Sequence, residues 1–367
     1  MKLQNVGAMA RKETRHMLRD ARSLAFMFLM PAMMLFIYGY AINLDIMNAP
    51  VGLLQESHDR ASNELAARFT ASSAFRVERR FHDRAALAAS IQRGEVWAAI
   101  VVPATYTRDL AQGHAVVQLV LDGTDSNSAR LVRNYVLAVV NQHALSLADV
   151  RPPVTVEART WFNETSESRY AIVPGVIVMV MAMVGTLMTA LTVAREMESG
   201  NLVMLRTTPL SRGEFLLGKL VPYFFVGMAD VAASVAAAVF IFDVPLRGSV
   251  PGLALVSALF LLVAMTQGVL ISLVAGNQIL ASQMVQVSTF LPSFLLSGVI
   301  YAIANMPEAL QVLTLVIPAR YYVVLVKGIF LKGIGPVVLW AQVAALLAVL
   351  GLLAFLLMRA ARRLGLQ

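Results

Sequence analysis

Long uncharged apolar runs alternate with short charged segments along most of this chain, and each run has the length of a bilayer crossing. A hydrocarbon core of roughly 30 Å needs about 20 apolar residues. Six stretches qualify: Leu24–Ile42, Ala171–Ala194, Leu220–Phe242, Pro251–Ala275, Ile279–Ile303 and Pro336–Met358. Of these, only Leu220–Phe242 carries a charged residue, Asp230. A further run, Val312–Phe330, is interrupted by Pro318-Ala319-Arg320 and by Lys327. It reads as a re-entrant or interfacial segment near 305–332 and not as a span, because irregular backbone facing lipid leaves polar groups unsatisfied.

Between the first two runs the pattern changes. Asn43–Tyr170 alternates short strand-like and helix-like pieces. Strands are predicted at Pro50–Leu54, Phe75–Arg80, Trp97–Val102 and Val116–Leu121. Helices are predicted at Ser62–Thr70, with Asn63 as its cap, at Arg84–Arg93 up to Gly94, at Tyr106–Gln112 up to Gly113, and near Ser128–Leu145. This predicts a small α/β domain with a mixed sheet, inserted into a polytopic helical membrane protein of six transmembrane helices. The divisions are 1–22, an amphipathic interfacial helix; 23–42, the first span; 43–170, the inserted domain; 171–194, the second span; 195–219, a charged connection; 220–358, four more spans; and 359–367, a tail.

Composition agrees with the pattern. Of 367 residues, 58% are hydrophobic and 14% charged, against about 45–50% and about 25% in soluble domains. Disorder and an ordinary soluble enzyme are excluded. Cysteine is absent, which removes thiolate metal sites, disulfides and a cysteine nucleophile.

The net charge of +8 suggests nucleic acid only until the charges are located. Residues 1–22, the connection Arg195–Lys219 and the tail together hold thirteen basic residues, whereas the short opposite loops hold Arg247, Arg320, Lys327 and Lys332. The positive-inside rule therefore places both termini in the cytoplasm and the inserted domain outside, with no nucleic-acid role. The basic N-terminal region is too long for a cleavable signal, so the first run reads as a retained anchor. Val6–Leu18, with Met9, Met17 and Leu18 among Arg11, Lys12 and Arg15, suits a helix in the headgroup layer.

Catalytic motifs are missing or incomplete. Gly213 to Lys219 matches the first seven positions of a phosphate-binding loop, but Leu220 stands where a magnesium-holding hydroxyl is required, and no strand precedes it. Asp122, Asp125 and Asn127 lack the spacing of a calcium loop and read as a turn. His58, His82, His114 and His143 show no metal-ligand spacing. Asn163-Glu164-Thr165 matches a glycosylation sequon, a pattern too short to assign a function.

The connection after the second run reads Ala194-Arg-Glu-Met-Glu-Ser-Gly-Asn-Leu-Val-Met-Leu-Arg-Thr-Thr-Pro-Leu-Ser-Arg-Gly-Glu-Phe-Leu-Leu-Gly-Lys219. This resembles the cytoplasmic signature of the ABC type-2 permease family. Leu291–Gly298, Met306-Pro307, Ile317-Pro-Ala-Arg-Tyr-Tyr322 and Lys332-Gly333 extend the likeness. The layout is similar to the subgroup with a large periplasmic α/β domain after the first helix. The chain departs at Asn201-Leu-Val-Met, where many members carry Thr-x-Glu.

The resemblance implies the membrane subunit of an ATP-driven exporter in the bacterial inner membrane. It would hold no cofactor itself, with ATP and magnesium on a separate ATPase subunit, in two copies or fused. A second permease half, identical or paralogous, would complete the path, and a periplasmic adaptor and outer-membrane channel would receive the cargo. Glu196–Leu205 reads as an amphipathic helix with Glu196 and Glu198 near its start, ended by Pro209 before a short helix Arg212–Leu217. By resemblance, Glu196, Glu198, Gly200, Leu205, Pro209, Arg212 and Lys219 couple the chain to the ATPase. Asp230, Gln267, Gln283 and Gln286 are the candidate pathway residues, since intramembrane polar groups face cavities or neighbouring helices. The alternatives are an ion-coupled secondary transporter using Asp230, and a non-transporting scaffold or receptor whose outer domain binds a partner.

Overall fold

The computed structural model describes residues 3–41, 48–124, 126–147, 162, 167–201 and 211–361. Contacts divide the chain into two compact units, 1–43 with 160–367, and 44–159.

The first unit is helical. α1 (Leu3–Arg19) and α2 (Ala21–Ala41) open it. After the insertion come α7 (Ser168–Glu198), α8 (Arg212–Phe240), α9 (Val250–Ala275), α10 (Gln278–Leu296), α11 (Glu308–Thr314), α12 (Pro318–Lys332) and α13 (Trp340–Ala360). Five of these, α7, α8, α9, α10 and α13, are long and apolar enough to cross a membrane. α2 contributes a shorter apolar stretch, Met27–Tyr40, and α11 with α12 forms a pair bent by 83°, a broken span or a re-entrant loop.

α7 is hydrophobic on every side, a pattern that suits a helix enclosed by other helices or by lipid. It is almost wholly buried, from Ile172 to Ala190 and on to Glu196. α8, α10 and α13 are less enclosed, most residues of their apolar windows being half-buried or exposed. The tightest crossing is between α7 and α9. A Cβ on Gly268 would fall 2.2 Å from the Thr186 carbonyl oxygen and 2.1 Å from Thr189 Oγ1. Thr189 Oγ1 uses that closeness to donate to the Met265 carbonyl at 3.1 Å.

Several boundaries move from their sequence-based positions. α8 is one continuous helix from Arg212, because Ser211 and Glu214 form a reciprocal capping box at its start and nothing breaks the run into the span. α10 ends at Leu296, and α13 begins at Trp340. α10 contains one wider π turn, Gln286–Phe290. At the bent pair, Arg320 Nη1 donates to the Gln311 carbonyl at 3.2 Å and also bonds Thr314 Oγ1. Tyr322 on α12 is fully buried, stacked on Phe260 at 4.2 Å, bonded to Ser257 Oγ at 2.7 Å and donating to Met181 Sδ at 3.0 Å. One phenol thus ties the bent pair to α9 and α7.

The second unit is a four-stranded mixed sheet built from β1 (Ala49–Gln55), α3 (Arg60–Ala71), β2 (Phe75–Phe81), α4 (Arg84–Gln92), β3 (Ala98–Val102), α5 (Tyr106–Ala111), β4 (Gln118–Leu121) and α6 (Ser126–Leu147). Strand order is β2-β1-β3-β4, with only β4 antiparallel. β3 is buried on both faces, which explains its unbroken apolar sequence. Ile100 and Val102 pack with Leu65, Phe69, Val132 and Val136. Ala99 and Val101 face Leu54, Phe81 and Leu87. Asp59, not Asn63, caps α3, accepting from Ser62 N at 2.9 Å. Asp59 immediately precedes the first helical residue, where a cap must sit. Asp122 Oδ1 accepts from Thr124 N at 3.0 Å and Oγ1 at 2.6 Å, the bonding of a turn.

Candidate functional site

Where the connection 195–219 meets the bundle, four charged side chains converge. Lys219 Nζ on α8 donates to both carboxylate oxygens of Glu13 on α1 at 3.1 Å and to Glu196 Oε1 on α7 at 3.1 Å. Lys12 Nζ reaches the same Glu196 oxygen at 3.3 Å. The side chains of Lys219, Glu13 and Glu196 are 3%, 6% and 9% exposed, whereas Lys12 is 51% exposed. Two cations face two anions, so the cluster is neutral. Burying an ion is tolerated only under such pairing.

The helices are brought together for reasons visible in their sequences. α1 presents Met9, Glu13 and Met17 on one buried face at four-residue spacing. Gly218 on α8 lets α1 approach closely: a Cβ there would stand 2.6 Å from Met9 Cβ. Met9 joins Val193, Phe215, Leu216 and Val269 in an apolar cluster beside the charges. Asn5 Nδ2 adds a bond to Glu214 Oε2 at 3.0 Å. The phosphate-loop likeness dissolves here, since Gly213–Lys219 is helix, Gly218 is a packing contact and the lysine is neutralised by glutamates.

The helix expected at Glu196–Leu205 does not start where the sequence suggested. α7 runs through the membrane segment to Glu198 and ends at Ser199, with Gly200 at φ 74°. Glu196 and Glu198 therefore lie at a C-terminal end, where the helix dipole disfavours acids. Their stabilisation comes from elsewhere. Glu196 has the two lysines, and Glu198 Oε2 accepts from Gln278 N at 3.3 Å and Gln278 Nε2 at 2.9 Å, at the N-terminus of α10. Arg195 spans Asp20 at 3.6 Å and Gln278 Oε1 at 3.3 Å. The flanks of the connection are thereby tied to α1, α8 and α10.

Of the predicted coupling residues, Glu196 and Lys219 are in contact, Gly200 terminates α7, Arg212 opens α8, and Leu205 and Pro209 lie outside the described residues. Among the predicted pathway residues, Gln267 Nε2 donates to Thr289 Oγ1 at 2.9 Å, a bond between α9 and α10. Gln283 and Gln286 lie on the exposed side of α10. Asp230 is 4% exposed on α8, and its carboxylate makes no hydrogen bond or ion pair among the described residues. The pathway candidates do not converge on the charge cluster. Lys12 and Glu13 were missed. The available signal was a single acid placed between Met9 and Met17 on the apolar face of an otherwise basic helix.

Comparison with known proteins decides the family. The model for "ABC-2 family transporter protein" matches residues 22–359. The chain belongs to the ABC-2 transporter family. It is 36% identical over 353 residues to the probable multidrug ABC transporter permease YbhS of Escherichia coli K12, covering 94% of this chain and 93% of that protein. It is 29% identical over 344 residues to the probable multidrug ABC transporter permease YbhR of the same strain, covering 92% and 93%. A more distant relative, the inner membrane transport permease YhhJ of E. coli K12, is 24% identical over 273 residues, 72% of each chain. As an ABC-2 permease subunit, the chain is a membrane protein and not itself an enzyme. ATP hydrolysis belongs to a separate ATPase partner.

Proposed function

We propose that this ABC-2 chain is an export permease of the bacterial inner membrane, with both termini cytoplasmic, six spans including α2, and segment 195–219 docking on its ATPase. The observation that carries the coupling assignment is the buried charge cluster. It joins α1, the end of α7 and the start of α8 into one block bracketing residues 199–211, so a push on that segment reaches three helices together. The test is photo-crosslinking from position Asn201 in native membranes. An ATPase subunit captured there supports the reading; capture from the inserted domain but never from Asn201 overturns it.

The cargo is proposed to be hydrophobic or amphipathic and to move outward. The names of the relatives, probable multidrug permeases, support this. So does the scarcity of polar groups on the spans. Gln283 and Gln286 support a second permease half, because amides facing outward on a spanning helix have no partner in lipid and need a polar or protein neighbour. Asp230 remains the proposed acidic point of the path, and Gln267 serves helix packing. An adaptor and an outer-membrane channel are proposed as receivers beyond the inserted domain.

A further inference from the structure

Residues at four-residue spacing divide α1 into two opposed faces. Met9, Glu13 and Met17 are buried against the bundle, while Arg11, Arg15 and Arg19, displaced by two residues or about 200° around the helix, are exposed on the other side. Arg11, Lys12, Arg15, His16, Arg19 and Asp20 line a broad open depression of about 840 Å³. Asp20, the one carboxylate among its described lining residues, is engaged by Arg195 at 3.6 Å. Lys12 is committed in part to Glu196. Arg11, Arg15 and Arg19 have no hydrogen bond or ion pair among the described residues, so three guanidiniums stand in a row with no counter-charge among those residues.

Their place in the chain identifies the counter-charge. Arg19 lies eight residues before Met27, where the apolar stretch Met27–Tyr40 begins, with a break between the two helices at Asp20. Leu18 beside this row is 62% exposed and Leu3 is 89% exposed, so the free surface of α1 combines arginines with unpartnered leucines. A basic row of this kind next to a span, with apolar residues on its flank, matches the phosphate layer of a bilayer and the acyl boundary beneath it. Guanidinium groups bind phosphate oxygens in paired hydrogen bonds, which a zwitterionic headgroup offers at reduced net charge.

We propose that the Arg11–Arg15–Arg19 face of α1 is a binding site for the headgroups of anionic phospholipids. The site deepens the reading of α1 as a membrane-surface helix and stands apart from ATPase docking. Through the adjacent Lys12 and Glu13, lipid occupancy bears directly on the charge cluster that holds α7 and α8.

The full chain, purified in neutral detergent, is titrated with phosphatidylglycerol and, separately, phosphatidylcholine, and retained lipid is counted by native mass spectrometry. Hydrogen exchange of residues 3–19 is followed in bilayer discs of either lipid. Wild type is expected to retain phosphatidylglycerol preferentially, with α1 protected in phosphatidylglycerol discs and the protection weakened by salt. R11Q/R15Q/R19Q is expected to lower that affinity by roughly a hundredfold, about fivefold per arginine, while R108Q in the inserted domain changes nothing. Unchanged exchange protection in α7 shows that the triple variant is folded. Equal retention of the two lipids, or wild-type retention by the triple variant, overturns the proposal. So does protection of α1 that requires an ATPase subunit whatever the lipid, which would assign the face to an acidic protein surface.

Discussion

Replacing Lys219 by methionine keeps the length and volume of the side chain and removes its charge. In the native cluster the ammonium donates to three carboxylate oxygens at 3.1 Å from a side chain only 3% exposed. After substitution, Glu13 and Glu196 remain buried with Lys12 as the only cation, and Lys12 touches Glu196 alone. Glu13 is then an unpaired buried carboxylate. Breaking a buried pair from one side costs about 3–5 kcal/mol. Lys12→Met provides the contrast, since a half-exposed partner at 3.3 Å is worth about 0–1 kcal/mol. Adding Glu13→Gln to Lys219→Met restores neutrality, leaving the Lys12–Glu196 pair, and should recover part of the loss. The assay is thermal unfolding of the detergent-solubilised chain, followed by intrinsic tryptophan fluorescence, alongside ATP turnover with the partner subunit present. A Lys219→Met loss no larger than that of Lys12→Met, or no recovery in the double variant, would refute the idea that a neutral buried cluster holds these helices.

Gly268→Ala should destabilise the bundle by about 1–3 kcal/mol, because its Cβ meets the backbone of α7, which cannot yield as a side chain would. Gly351→Ala, with nothing within 4 Å, should be neutral or stabilise by about 0.5–1 kcal/mol through helix propensity, and thermal unfolding separates the two. The chain has no cysteine, so single cysteines at Gln283 and Gln286 can be oxidised without background. Disulfide-linked dimers are expected from these positions but not from Gln267, and monomers throughout would remove α10 from the interface between halves. In the inserted domain, burial holds the imidazole of His143 below its usual range, with Arg68 adding to the shift and Glu64 opposing it. The unfolded chain then binds the proton more readily, so this stability is present above about pH 6.5 and falls away as pH drops toward the folded value. Exchange protection across α6, corrected for the intrinsic pH effect, should decline between about pH 7 and about pH 5, and His143→Leu should flatten that decline.

Much of the architecture was legible along the chain because lipid imposes a length and a composition on each crossing. The five helices long and apolar enough to span, and the alternating elements of the inserted domain, follow from runs of apolar residues and from period-two or helical spacing. Helix ends were less legible. The placement of Glu196 and Glu198 at the close of α7, and the fusion of Arg212–Leu217 with the following span, depend on whether a helix finds reason to stop. The capping box of Ser211 and Glu214 starts α8 early, and Gly200 stops α7 late.

The charge cluster shows where sequence alone runs out. Lys219 and Glu196 are 23 residues apart and Glu13 lies 206 positions from Lys219, and nothing local requires them to meet. Hydrophobicity is a property of each residue and its immediate neighbours, so it can be read in one dimension, and it determined that this chain crosses a membrane and carries a small α/β insertion. Electrostatic pairing is a property of distance in space. Only the packing of α1 into the groove at Gly218 decided which cations face which anions, and therefore which helix ends are tied together.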